Sequence, residues 1–286
     1  MGTTPTAGTR KTTLASSDQV DDSRGPVADD PYVEIVGGDD TPLETAANRG
    51  SALFAIKGAG LVSSLTLVFV RHGVTDMTLT HALSGSSTPG PPLNALGRIQ
   101  AAKAADAVYR IGRGSWDRVP PIGRILASPM TRTRDTAAAL SRRLGVAVEV
   151  EDRLKEINFG EWEGLTGNEI AERFGDAIHL WRFGEYAAPG GESFPDVGAR
   201  LDSLLVDLAA EHAALCVAGD DVPRSYALAS HAVAIKSAIG LSMKMDPSAW
   251  GSIWPQPASM SILELRVTTS GTIAERHLLC LGQPVE

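Results

Sequence analysis

Hydrophobic and polar positions alternate in regular blocks from Leu65 onward. Short aliphatic and β-branched runs, typical of buried strands, are separated by longer segments whose apolar residues recur at helical spacing. The predicted strands cover residues 65–70, 124–127, 146–150, 226–230, 261–267 and 273–281. Strands that alternate with helices indicate an α/β fold, here a three-layer sandwich in which helices flank a mostly parallel central sheet.

Two helices are predicted in the first half of this region from residues that start or end helices. One follows Asn94 and stops at Gly112, and the other runs from Met130 to Leu144 and stops at Gly145. The buried side of the first helix is predicted to carry Ile99, Ala102, Ala105, Val108 and Tyr109.

Two further helices are predicted between the third and fourth strands. The sequence TGNE at 166–169 has the spacing of a capping box and starts a short helix that runs through Phe174. The clearest helical stripe of the chain is predicted to pack in the core, and its apolar residues are Val197, Leu201, Leu204, Leu205 and Leu208.

The chain divides into a polar N-terminal part and a domain with a regular apolar pattern. Residues 1–30 are rich in Thr, Ser, Asp, Gly and Pro and are predicted to be a disordered tail. Residues 31–64 form an extension whose structure the sequence does not define, although 32–36 has strand character and Thr41-Pro42 is a helix start signal. Residues 65–286 are predicted to form the catalytic domain.

Charge and composition exclude several classes of partner. A formal charge of −8 on 286 residues disfavours a general attraction to nucleic acid or to anionic lipid. No apolar run approaches the length of a bilayer span. Cys216 and Cys280 have neither metal-type spacing nor a disulfide framework, which favours a reducing cytoplasm. No metal or cofactor is expected, and a homodimer is left open.

The stretch LTLVFVRHGVTD at 65–76 ends a buried strand with Arg71, His72 and Gly73. The carboxyl ends of strands in an open α/β sheet border the crevice where ligands bind. Glycine there permits a close backbone approach or an unusual dihedral angle, and we expect it to leave free amides facing an anion. The stretch is therefore interpreted as half of a phosphate site.

Other predicted strands are also followed by charged or imidazole side chains. Arg132, in SPMTR, lies in the first turn of a helix, where the helix dipole favours negative charge. His231, in SHA, follows a strand and opens another helix, and Glu156 lies in LKEINFGEWEG between them. A single such His or Arg is usually a core or surface residue, but their joint occurrence at strand ends predicts one convergent site.

These motifs, RHGVT, SPMTR, LKEINFGEWEG and SHA, occur in the order found in the histidine phosphatase superfamily, which the chain resembles from about 65 to 281. The resemblance implies a phosphoglycerate-mutase-like fold. It implies that His72 forms a phosphohistidine, that Arg71, Arg132 and His231 hold the phosphoryl oxygens, and that Glu156 donates a proton to the leaving group. Thr75 matches the family threonine that supports the phosphate pocket.

These roles agree with the chemistry of phosphoryl transfer. Arginine donors and a histidine stabilise charge on the phosphoryl oxygens without a metal ion. A neutral imidazole is a competent nucleophile, and nearby guanidinium groups disfavour its protonation. We expect activity at mildly acidic to neutral pH.

The chain departs from the family pattern at two positions. The residues that form its substrate mouth are less clearly defined by the sequence. Thr78 replaces a common Asn, and Ala232 replaces the Gly that usually follows the second histidine. Trp162 is predicted to be either a wall of the mouth or a core residue. Ser193, in PGGES, resembles the segment that borders the mouth. His81 and Arg98 are candidates for the entrance of the substrate mouth, although a surface role is favoured for both.

Three hypotheses follow for the function. FGEWEG resembles the phosphatase branch, which includes α-ribazole-phosphate and sugar-phosphate phosphatases, so we favour hydrolysis of a small phosphorylated metabolite. A phosphomutase is the first alternative, but Val233 replaces the Asn usual in mutases. The second alternative is a catalytically weak phosphate-binding regulatory protein, which the complete set of charged motif residues disfavours.

Overall fold

The computed structural model of the protein describes residues 60–285. The predicted tail at 1–30, strand character at 32–36 and helix start at 41–42 lie outside the described residues. No helix within 60–285 is long and apolar enough to cross a membrane.

The described residues form one six-stranded sheet with helices between its strands. Its strands are β1 (Leu65–Arg71), β2 (Ile122–Ala127), β3 (Val148–Val150), β4 (Arg224–Ser230), β5 (Met260–Val267) and β6 (Ile273–Gln283). The α-helices are α1 (Asp76–Leu79), α2 (Ala95–Arg110), α3 (Thr131–Leu144), α4 (Gly167–Phe174), α5 (Ala177–Arg182), α6 (Phe194–Val217), α7 (Ala232–Ser242) and α8 (Pro247–Trp250). Short 3₁₀ turns cover Asp152–Leu154 and Gly160–Trp162.

The sheet is mostly parallel, as predicted. Its strand order is β3-β2-β4-β1-β5-β6. The pairs β3–β2, β2–β4 and β4–β1 are parallel, whereas β5 is antiparallel to both β1 and β6. The carboxyl ends of β2, β4 and β1 therefore lie side by side at one edge of the sheet.

Helices cover both faces of the sheet and create two cores. Alternate side chains of β1 enter different cores, because successive residues of a strand point to opposite faces. Leu67 and Phe69 pack in a cluster that includes α6 and α7 residues. Val68 and Val70 pack in a second cluster that includes α2 and α3 residues. This arrangement confirms the three-layer sandwich.

Local sequence signals set most helix ends as predicted. The capping box of α4 forms, with the Thr166 hydroxyl accepting from the Glu169 amide. Gly145 ends α3 in the left-handed conformation, with φ of 71°. The predicted stripe of α6 is buried along its whole length.

The predicted buried side of α2 is wrong in part. Ile99 is 57% exposed and Ala102 is exposed. The buried face instead carries Ala101, Ala104, Ala105, Ala107 and Val108. Small side chains let α2 pack closely in the cluster it shares with α3, so an alanine-rich face is buried in preference to the face that carries the larger isoleucine.

Residues 60–64 run along the edge of the domain. The Ser63 amide donates to Oδ1 of Asp221 at 2.8 Å. The Ser63 carbonyl oxygen lies 2.6 Å from Nε2 of His212, a buried histidine of α6. His212, which has no sequence motif around it, therefore fastens this segment to α6.

The α6 stripe provides a test of the core. We expect Leu205→Ala to lower the free energy of unfolding by about 2–5 kcal/mol, because Leu205 is 1% exposed and its removal leaves a cavity. Urea unfolding followed by circular dichroism measures the change. The neighbouring Val206, 46% exposed, gives the control Val206→Ala, which should change stability by less than about 1 kcal/mol. Equal losses would contradict the assigned orientation of α6.

Candidate active site

Three sequence motifs meet where β2, β4 and β1 end. Arg71 is the last residue of β1, and it is paired in register with Ser230, the last residue of β4. The His72 amide donates to the Ser230 carbonyl oxygen at 3.0 Å. Ser128 follows β2, and its amide donates to the Ala229 carbonyl oxygen at 3.0 Å. Adjacent parallel strands thus bring RHG, SHA and SPM to one crevice.

His72 is buried with a defined tautomer. Its Nδ1 lies 2.7 Å from the Gly73 carbonyl oxygen, which can only accept, so Nδ1 carries the proton. Nε2 is left with its lone pair and accepts from Nε of Arg132 at 3.3 Å. Burial, then Arg132 and Arg71, holds the pKa of His72 well below its usual value. The imidazole is therefore neutral, and its Nε2 is unprotonated.

Gly73 is required by a close backbone approach. A Cβ at this position would lie 2.4 Å from the Gly97 carbonyl oxygen, near the start of α2. The expected free amides are not found, because the Gly73 amide donates to Thr136 Oγ1 at 3.3 Å and the Val74 amide to Gln100 Oε1 at 2.9 Å. The prediction that amides of this turn face an anion is wrong, and side chains must supply the donors.

Arg132 lies 1% exposed in the first turn of α3. Its Nη2 donates to the carbonyl oxygens of Ser84 at 2.8 Å and Gly85 at 3.3 Å, which fixes the guanidinium beside His72. Burial lowers the pKa of Arg132 to about 10, and Glu156 and Glu163 act in the opposite direction. The side chain stays positively charged at neutral pH.

Arg71 brings a second guanidinium to the crevice. Its Nη1 donates to the Pro255 carbonyl oxygen at 2.8 Å. Burial lowers the pKa of Arg71, and the carboxylate of Glu156 partly offsets this effect. The two arginines therefore place two positive charges around one imidazole.

His231 lies at the N-terminus of α7 and faces His72. The two ring centroids are 5.2 Å apart. Nε2 of His231 lies 2.8 Å from Oγ of Ser128, and burial is the main cause that holds the pKa of His231 well below its usual value. Ser128 thereby orients the second imidazole, a role that the sequence motif alone did not show.

Glu156 is held by three backbone amides, two of which belong to the first turn of α7. Its Oε1 accepts from the amides of Ile157 at 2.9 Å and Ala234 at 3.2 Å, and Oε2 accepts from the Val233 amide at 3.2 Å. The first turn of a helix has free amides that favour a carboxylate. Glu156 therefore lies at the His231 end of α7, 6% exposed.

Arg200 of α6 supports the loop that carries Glu156, although no sequence motif points to this arginine. Its guanidinium donates to the carbonyl oxygens of Arg153, Lys155 and Glu156 at 2.7–3.1 Å. It also pairs with Glu192, 3.0 Å away. Glu192 in turn accepts from the Asn158 amide at 2.8 Å, so the PGGES segment braces this loop.

Several buried polar atoms of the crevice lack a hydrogen-bond partner within residues 60–285. They are Arg71 Nε, Arg132 Nη1 and His231 Nδ1. Buried polar groups are normally paired, so unpaired ones on convergent side chains are typical of a ligand site. Because two of the three belong to guanidinium groups, which donate in the geometry a phosphoryl group accepts, the arrangement suits a tetrahedral anion.

The remaining predicted pocket residues lie in different places. Thr75 and Thr78 form a capping box at the start of α1, with their hydroxyl oxygens 3.1 Å apart. His81 is exposed, with φ of 58°. Ser193 caps α6 through Asp196, and Ala232 begins α7.

Trp162 belongs to the core. It is 0% exposed and packs on Phe174, Trp181 and Tyr186 with ring centroids 5.9–6.4 Å apart. A fully enclosed indole has no surface left to contact a substrate. As the tryptophan of FGEWEG, it anchors this loop in the core, in agreement with the core alternative stated above.

Among residues 60–285, no group of three or more His, Cys, Asp or Glu side chains is arranged to hold a metal ion. Positive charge in the crevice comes from arginines. A neutral imidazole nitrogen between two guanidinium groups, with a carboxylate and a second imidazole beside it, is suited to phosphoryl transfer.

The fold and this site define a histidine phosphatase. The model of the histidine phosphatase superfamily (branch 1) matches residues 67–273. The chain belongs to this superfamily.

Two relatives of this chain carry names that describe their activity or organisation. A glucosyl-3-phosphoglycerate phosphatase of Mycobacterium tuberculosis (strain ATCC 25618 / H37Rv) is 33% identical over 188 residues, 65% of this chain and 79% of that protein. A bifunctional protein of the same strain is 38% identical over 136 residues, 47% of this chain. The chain spans only 35% of the length of that protein.

A solved structure supports the same comparison. The mycobacterial glucosyl-3-phosphoglycerate phosphatase in complex with VO3 superposes with a TM-score of 0.66 at 29% identity. The match covers 76% of this chain and 99% of that one.

The two neutral histidines predict a loss of stability in acid. Below their ordinary pKa of 6.5, the unfolded chain binds protons that the folded protein does not, so stability should fall as pH falls. Each histidine should contribute up to about 1.4 kcal/mol per pH unit below that value. Urea unfolding in phosphate-free buffer at pH 7 and pH 5.5 measures this slope.

The double variant His72→Gln/His231→Gln should have a shallower slope between these two pH values. Replacing the exposed His179 by Gln is the control and should leave the slope unchanged. If the double variant keeps the wild-type slope, His72 and His231 are not the source of the acid sensitivity.

Proposed function

We propose that the chain is a phosphomonoesterase that hydrolyses a small phosphorylated metabolite through a phosphohistidine at His72. The observation that supports it most is the buried, unprotonated Nε2 of His72 beside Nε of Arg132. The arginines supply positive charge to the phosphoryl oxygens, so the proposed reaction proceeds without a metal ion.

In the first step, His72 Nε2 attacks phosphorus and the bond from phosphorus to the ester oxygen breaks. Arg71, Arg132 and His231 stabilise the phosphoryl oxygens. Glu156 enters this step in its protonated form and gives its proton to the departing oxygen. In the second step, water attacks the phosphohistidine and returns a proton to the Glu156 carboxylate. Phosphate leaves, and His72 regains its lone pair.

The substrate is proposed from the relatives and from the chemistry of the mouth. Glucosyl-3-phosphoglycerate is the first compound to test, because relatives that this chain matches are named for its hydrolysis. Transfer back to a substrate, as in a mutase, is disfavoured because Val233 is 4% exposed and has no polar side-chain atom to orient a bound acceptor.

A phosphate-release panel tests the whole proposal. The panel contains glucosyl-3-phosphoglycerate, phosphoglycerates, sugar phosphates, nucleotides and α-ribazole phosphate. In the presence of EDTA, purified protein should release phosphate selectively from one of these classes. Isomerised phosphoglycerate without free phosphate would instead show a mutase. Binding without either reaction would show the phosphate-binding regulatory protein.

His72→Ala tests the nucleophile. We expect turnover to fall by about 10³-fold or more, because within residues 60–285 no other side chain presents an unprotonated nitrogen in the same place. Far-UV circular dichroism should be unchanged, and His179→Ala is the control on an exposed histidine. Rapid quench with ³²P-labelled substrate should trap acid-labile label on His72 in the wild type. Label on another residue would refute the assignment.

Glu156→Gln tests the proton donor. An alkyl phosphate should lose about 10²–10⁴-fold in kcat/KM, because its alkoxide needs a proton to leave. The loss on p-nitrophenyl phosphate should be much smaller, since p-nitrophenolate is a stable leaving group. Gln keeps an oxygen that can accept from the α7 amides. Equal losses on both substrates would show that Glu156 has another role.

The cytoplasm remains the proposed location, supported by two free thiols, Cys216 and Cys280. A homodimer remains one assembly to test, and size-exclusion chromatography with light scattering distinguishes it from a monomer.

A further inference from the structure

Lys236 is a buried cation with no anionic partner in the described part of the chain. It lies on α7, five residues after His231, and is 3% exposed. Within residues 60–285 it forms no hydrogen bond and no ion pair. Its Nζ instead lies 5.1 Å from the ring centroid of Trp254 and 5.7 Å from that of Phe194.

A lysine in this position is costly, because buried ammonium groups are normally paired. Burial lowers the pKa of Lys236 to about 8. Glu156 acts to raise this pKa, while Arg71 and Arg182 lower it further. Two of these three charges are positive, and an anion bound beside the ammonium would offset them.

The position of the ammonium connects it to the phosphate crevice. Trp254, which covers it, is followed by Pro255, whose carbonyl oxygen accepts from Nη1 of Arg71. Trp254 is 65% exposed, so the ammonium lies behind a ring at the protein surface. Phe194, on its other side, begins α6 directly after the PGGES segment. The two rings beside Lys236 thus adjoin the residue that binds Arg71 and the PGGES segment of the predicted substrate mouth.

We propose that Lys236 binds a carboxylate carried by the same molecule as the phosphoryl group, and so selects phosphorylated acids among phosphomonoesters. This inference rests on the proposed function of the site. One ammonium matches the single charge of a carboxylate, and the two aromatic rings flank the ammonium. A phosphomonoester without the carboxylate leaves the ammonium unpaired, which disfavours its binding.

Two ligands that differ in this group provide the test. 3-Phosphoglycerate carries a carboxylate where glycerol 3-phosphate carries a hydroxymethyl group, and both are phosphomonoesters. Isothermal titration calorimetry in the His72→Ala background measures their affinities without turnover. The same background with Lys236→Met, Lys236→Gln or the exposed-site control Lys103→Met completes the series. Circular dichroism and thermal melting check that each variant is folded.

We expect 3-phosphoglycerate to bind more tightly than glycerol 3-phosphate. Lys236→Met and Lys236→Gln should weaken 3-phosphoglycerate by about 10- to 100-fold and glycerol 3-phosphate by less than about 2-fold. Lys103→Met should change neither affinity. Equal losses for the two ligands, an unchanged affinity for 3-phosphoglycerate, or no binding of either by folded protein would overturn the proposal.

Turnover of the wild-type protein separates this inference from the proposed function. If the protein binds the two ligands as expected but releases no phosphate from any substrate, the hydrolase proposal fails while the carboxylate site stands. If phosphate is released but the Lys236 variants lose kcat/KM equally on both compounds, the hydrolase stands and the carboxylate site fails.

Discussion

The parallel register of β1 on β4 is the constraint on which the site depends. It pairs Arg71 with Ser230, so that His72 and His231 are the first residues beyond two neighbouring strands. Their ring centroids consequently lie 5.2 Å apart. A one-residue slip would reverse the facing of every side chain of β1, exchanging its two cores and removing the histidine pair at once. Burial of Leu67 and Phe69 on one face and of Val68 on the other therefore also determines the relative positions of His72 and His231.

The buried charges of the crevice are compensated by backbone groups as much as by opposite charges. Carbonyl oxygens of Ser84, Gly85 and Pro255 accept from the two guanidinium groups, and α7 amides donate to Glu156. Backbone dipoles hold a charged side chain in place while leaving its net charge available to a ligand. This explains how several ionisable groups can share a crevice with little solvent around them.

Residues around the crevice orient the side chains that line it. Ser128 bonds His231, Arg200 bonds the loop of Glu156, and Gly73 lets the turn after β1 approach α2. These contacts come from three separate segments, which follow β2, lie on α6 and follow β1, so the geometry of the site depends on the packing of the whole sandwich. Preorganisation of this kind is what allows donors to act on a phosphoryl group without rearrangement during reaction.

The sequence by itself determined the strand and helix pattern, the mostly parallel sheet and the convergence of RHG, SPMTR, Glu156 and SHA, because periodicity, caps and strand ends are local features. Tertiary structure alone decided the rest. It buried the alanine face of α2 and exposed Ile99, since close helix packing favours small side chains. It also paired the amides after His72 with Thr136 and Gln100, and brought Arg200 to the loop that carries Glu156. Such contacts join residues far apart in the chain, so no local pattern encodes them.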